Sequence, residues 1–177
     1  KLATNLSIST LIAMSAAPEF AIYPGLGEWA KETLHYSQAV RIGNIIKIQV
    51  KVKSKSHAQH HNHEAIQVVI SGGWNPSADL TAPSTWISQD LDTEIDQAFS
   101  NVELALKAAG GKGWSQVYSV RSYHLPVDDA ATSAMVRNFQ QWCGSEHHPI
   151  WTEIGVASLG LPTMRVEIEV EAFLGEQ

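Results

Sequence analysis

Residues 164–173 read MRVEIEVEAF. Met164, Val166, Ile168, Val170 and Ala172 alternate with Arg165, Glu167, Glu169 and Glu171. A two-residue period sends successive side chains to opposite faces of a strand, so this strand has one apolar and one charged face. The apolar face needs a cover, and two amphipathic segments upstream supply it. In DLDTEIDQAFSNVELALKAAGG (residues 90–111), Ile95, Phe99, Val102, Leu106 and Ala109 form one stripe at helical spacing. Asp92 or Thr93 can cap this helix, and Gly110-Gly111 stop it. In DDAATSAMVRNFQQWC (residues 128–143), Ala131, Met135, Phe139 and Trp142 share a side, and Asp128 or Asp129 is the cap.

Further strands surround these elements. HYSQAVRIGNIIKIQVKV (residues 35–52) reads as two strands joined at Gly43-Asn44, the second beginning at Ile45. SQVYSVRSYHLP (residues 115–126) and IWTEIGVASL (residues 150–159) read as strands too. Residues 18–33, with Pro24, Gly25 and Gly27, read as irregular. The order predicts an α+β layer with both helices on one face of a mixed sheet. The other face carries Arg165, Glu167, Glu169 and Glu153 among apolar neighbours, which fits a subunit interface with polar sites at its edges.

Of the 177 residues, 44% are hydrophobic and 17% charged, the composition of one globular domain with a real core. A net charge of -6 argues against nucleic acid as a partner, which needs a concentrated basic surface. The single cysteine, Cys143, excludes an intrachain disulfide and suggests a reducing compartment, cytoplasmic or alternatively mitochondrial. No apolar run reaches the length of a membrane span. Residues 1–17 read as a flexible extension or, alternatively, a degenerate targeting leader, and residues 18–177 as a single domain.

Several stretches resemble the RidA/YjgF family, also called the L-PSP endoribonuclease family. YSQAVRIGNIIKI resembles its opening hairpin and SGGWNP its strand end; IDQAFSNVELALKAAGGKGWSQVYSVRSYHL is similar to its first helix and following strand, and PIWTEIGVASLGLPTMRVEIEVEA to its C-terminal signature. The resemblance implies a chorismate-mutase-like protomer and a homotrimer with ligand clefts between protomers. It also implies an activity, hydrolysis of a 2-imino acid to a 2-keto acid and ammonia, in which a cleft arginine grips the carboxylate and a glutamate positions water.

Carried over residue by residue, Tyr36 matches the family's cleft tyrosine, Gly72 the glycine whose backbone borders the ligand, and Glu167 the water-positioning glutamate. Gly73 stands where glutamine is usual, Trp151 where the arginine is expected, and Glu153 where a small residue is common. Without that arginine, the leading expectation is a trimer that binds a small metabolite, one less anionic or aromatic enough to stack on Trp151. The alternatives are an active imine deaminase anchored by Arg121 or Arg165, and an endoribonuclease. No cofactor is implied.

Between the hairpin and SGGWNP lies QVKVKSKSHAQHHNHEAIQVV (residues 49–69), an insertion relative to the family. His57, His60, His61, His63 and Glu64 are metal-ligating types, but only His57–His61 and His60–Glu64 are four apart, so no metal is assigned. The segment reads as an exposed extension or as translated non-coding sequence, splitting a strand whose halves, NIIKI and SGGWNP, look continuous.

Overall fold

The computed structural model describes residues 19–35, 37–42, 45–48 and 66–173. The insertion's histidines, Tyr36 and the Gly43-Asn44 turn lie outside them. The strands are β1 (Glu19–Ala21), β2 (Ala39–Ile42), β3 (Ile45–Ile48), β4 (Ile66–Ser71), β5 (Val117–His124), β6 (Ile150–Gly155) and β7 (Val166–Ala172). They form one mixed sheet in the order β1-β2-β3-β4-β7-β5-β6. The helices are α1 (Leu26–Leu34), α2 (Leu91–Ala108) and α3 (Asp129–Cys143).

The alternation of β7 does what its sequence dictates. Val166, Ile168, Val170 and Ala172 are buried beneath Ile95, Phe99, Val102 and Leu106 of α2 and Ala131, Ala134 and Met135 of α3. Trp114 stacks on Phe99 at 4.5 Å between ring centres, and its indole N–H donates to the Phe99 carbonyl at 3.0 Å. Asp90 rather than Asp92 or Thr93 caps α2, accepting from the Thr93 backbone N–H at 2.8 Å. Asp128 caps α3 in the same way through Ala131.

Two expectations are corrected. Residues 18–33 are not irregular: they contain β1 and α1. The short helix α1 buries Leu26 and Ala30 against Trp74, Trp86, Ile87 and Met164, a second apolar cluster that also packs Trp29. Second, NIIKI and SGGWNP are not halves of one strand, because β3 and β4 lie side by side and parallel, with Lys47 opposite Gln67. Gly72 and Gly73, whatever else their backbone borders, are also required by the chain's own packing. A Cβ on Gly72 would sit 1.9 Å from the Val166 carbonyl oxygen, and one on Gly73 would sit 1.9 Å from that of Glu94. Trp74, which follows them, is core: its indole N–H donates to the Tyr23 hydroxyl at 2.6 Å.

Trp151 and Glu153 also belong to the helix-covered side. Trp151 packs edge-on against Phe139 of α3 at 5.1 Å and donates to the Ser122 hydroxyl at 2.8 Å. Glu153 accepts from Thr132 of α3 at 2.8 Å, and its other oxygen lies 3.4 Å from Nε2 of the fully buried His124. Burial pushes the His124 imidazole below its ordinary 6.5, against the opposing pull of Glu153 and Asp128.

Two outcomes follow from this packing. Gly72→Ala and Gly73→Ala force backbone to move and are expected to cost about 1–3 kcal/mol or more in urea denaturation. Gly160, where an added Cβ meets nothing within 4 Å, is the control, with Gly160→Ala within about 0.5 kcal/mol of the parent. The His124 contribution depends on acidity. Its folded value lies below its unfolded one, so the stability it gives is present above about pH 6.5 and is lost as pH falls. Denaturation at a series of pH values should show the parent losing stability relative to His124→Gln as the solution is acidified. A constant difference between the two would refute this.

Candidate functional site

The face of the sheet away from α2 and α3 carries the charged half of the β7 alternation. Antiparallel pairing of β5 with β7 sets Arg121 opposite Glu169 and Tyr123 opposite Glu167. Arg121 Nη1 donates to Glu169 Oε1 at 2.8 Å and lies 3.7 Å from Glu171 Oε1. The Tyr123 hydroxyl donates to the other Glu169 oxygen at 2.8 Å. The β5–β7 ladder slips between Val117 and Ser119, and the Tyr118 hydroxyl reaches Glu171 at 2.7 Å. Burial and the bond to Glu169 raise the Tyr123 phenol to about 12; burial and the bond to Glu171 push the Tyr118 phenol further up.

Glu167 stands apart within this network. It is only 5% exposed, yet its carboxylate accepts no hydrogen bond among the described residues. Burial, reinforced by the charge of Glu169, raises its carboxyl to about 7. A carboxyl poised near neutrality can take up or release a proton under ordinary conditions, the property required of an acid–base group. The end of β4 borders it, since Ser71 is its register partner and Gly72 follows.

The structure thus brings Glu167 and Arg121 onto one face, with the Gly72-Gly73 strand end alongside, and separates the rest. Trp151 and Glu153 point to the opposite face, into the helix layer. Between them the parity of β6 gives the helix-free face to Ile150 and Thr152. Arg165 does not point toward Glu167 and Glu169 either. It precedes β7, its backbone N–H and Nε hold the buried Glu94 carboxylate at 2.7 and 2.8 Å, and Nη2 donates to the Ser88 carbonyl. Tyr36 falls outside the described residues. The tyrosines Tyr118 and Tyr123 were not foreseen as site residues; the shared alternation of Arg121 and Tyr123 is the signal that could have found the second.

Among the described residues no group of three or more His, Cys, Asp or Glu is placed to hold a metal. No helix among them is long and apolar enough to cross a membrane. A cavity of about 290 Å³ opens on the other side of the sheet, between α3 and the start of β6, lined by Val136, Phe139, Gln140, His147 and Trp151. It does not contain Glu167 or Arg121, so the cavity and the polar network are separate features.

No curated protein sequence matches the chain. Solved structures do. A protein named YJGH aligns at 20% identity and a TM-score of 0.62, over 89% of this chain and 95% of that one. Yeast Mmf1 aligns at 19% identity and a TM-score of 0.57, over 89% and 98%. A member of the YjgF/YER057c/UK114 family from Mycobacterium tuberculosis aligns at 21% identity and 0.56, over 89% and 99%. These likenesses establish the chorismate-mutase-like α+β fold. Residues 55–174, more than half of the chain, match the family described as Endoribonuclease L-PSP, and the chain belongs to this YjgF/RidA family.

Proposed function

We propose that the chain assembles as a homotrimer over its helix-free face and binds a small metabolite in the clefts between copies. The observation that carries this reading is Glu167: a carboxyl raised to about 7 on a residue only 5% exposed, with no hydrogen-bond donor among the described residues, on a polar sheet face that no described helix covers. A buried acceptor without a donor is costly, and a ligand or partner that supplies one relieves the cost. Self-association is supported by the margins of that face. Phe20 on edge strand β1 is 72% exposed and Ile150 on edge strand β6 is 71% exposed. Their neighbours Ala21 and Trp151 pack into the core, so both side chains project to the helix-free side.

The second reading, hydrolysis of a 2-imino acid, needs a guanidinium that grips a carboxylate. Arg165 is committed to Glu94, and the charge of Arg121 is met by Glu169 and Glu171. Binding without rapid hydrolysis therefore has the better support. Ribonuclease activity, named in the family's description, has less: the chain carries a net charge of -6, where a phosphodiester backbone calls for a concentrated basic surface.

Sedimentation equilibrium should return three times the 19.3 kDa protomer; a monomer at all concentrations removes the clefts and with them this reading. Ammonia release from a 2-imino acid generated in situ should stay within about twofold of buffer. Release about tenfold above buffer, abolished by Arg121→Ala, would establish the deaminase instead. The parity of β6 refines the experiment. Thr152→Arg, opposite Arg121 on β5, places a guanidinium on the Glu167 face and is expected to raise release by about tenfold or more. Trp151→Arg places it in the helix layer, where the ring packs on Phe139, and is expected to give no activity and a lower Tm.

A further inference from the structure

We infer that the ligand of the helix-free face meets Glu167 with a nitrogen donor, as an amine, amidine or iminium cation, and not with a carboxylate. This rests on the reading of that face as a binding site and specifies its chemistry.

The argument is an accounting of hydrogen-bond roles. Glu167 has no donor among the described residues, and it is only 5% exposed, its carboxyl oxygens keeping the narrow access through which a ligand can reach them. Tyr123 gives its hydroxyl proton to Glu169, and Tyr118 gives its proton to Glu171. What either phenol has left for a ligand is an oxygen lone pair. Arg121 is the described cation of the network, and it stands 2.8 Å from Glu169 and 3.7 Å from Glu171. With Glu167 ionised, the described groups that line the network therefore accept, and the described donors are already engaged.

An anionic ligand would have to draw Arg121 from its carboxylates while lying beside Glu167, a like charge in a partly desolvated setting. A nitrogen cation meets the opposite situation. It satisfies the buried Glu167 acceptor with a charge-assisted hydrogen bond, and a neighbouring phenol oxygen can accept a second N–H. Proton linkage follows with a definite sign. A cation binds the ionised carboxyl, so its affinity rises as pH increases through the range in which Glu167 loses its proton.

The test uses three probes of matched shape and different charge, butylamine, butanol and butanoate, titrated into the full chain and followed by NMR. Butylamine is expected to bind about tenfold or more tightly than butanoate, one charge-assisted hydrogen bond's worth of selectivity. Glu167→Gln should reduce butylamine affinity about tenfold and leave butanol within about twofold. In the parent protein, butylamine affinity should increase between about pH 6 and pH 8, a readout that holds even if the variant fails to fold. Butanoate binding as tightly as butylamine, a flat pH profile, or indifference to Glu167→Gln each overturns the inference while leaving a metabolite site in place. No binding of any probe overturns both the inference and the site on which it rests.

Discussion

The buried carboxylate of Glu94, held by the guanidinium and backbone N–H of Arg165, is the constraint around which the structure is arranged. It joins the first turn of α2 to the entry of β7. The same few ångströms admit the end of β4 only because Gly72 and Gly73 have no side chains, one against the Val166 carbonyl and the other against the Glu94 backbone. Asn101, buried about two turns further along α2, closes the junction by donating to the Trp74 carbonyl at 2.9 Å. Three elements distant in sequence thus meet with nearly every polar group answered. An ion pair of this kind adds little net stability over an apolar substitute, but it penalises any arrangement that parts its members, so it fixes one geometry. The second apolar cluster is continuous with it through Trp74 and Met164.

From this junction the sheet divides its polar residues into two societies. On the helix side, Ser122, His124, Glu153 and Thr132 sit among aromatic and aliphatic neighbours, and Trp151 closes over Ser122. On the other side, Arg121 and two tyrosines secure Glu169 and Glu171 and leave Glu167 without a donor. Within the helix-free face, Glu169 and Glu171 are answered by donors and Glu167 is not, which sets it apart from a salt-bridge network whose role is structural.

How far the sequence disclosed this varies by element, for physical reasons. The β7 alternation and the α2 stripe were legible because burial on one side enforces a strict period. Helix α1 was not. It spans nine residues, behind a Pro-Gly turn signal, and its apolar positions Leu26, Trp29 and Ala30 acquire meaning only against Trp74 and Trp86. The cleft assignments of Trp151 and Glu153 failed by parity: resemblance locates a position along a strand, but a one-residue slip exchanges the two faces. Arg165 failed similarly, because the alternation was extended one residue beyond the point where β7 begins and the backbone turns toward α2. Glu167 and Arg121 were found on one face because both lie well inside strands, where the period holds.

The place of β7 also governs when the molecule can form. It follows every other described strand in sequence, yet it lies inside the sheet, between β4 and β5. Until residues 166–172 emerge from the ribosome, the partners on either side have no common strand, and the apolar faces of α2 and α3 lack most of their floor. The upstream segments must wait, with their strand edges unpaired, for a stretch of seven residues synthesised after them. Cooperative closure is then imposed by topology: insertion of β7 completes both halves of the sheet at once.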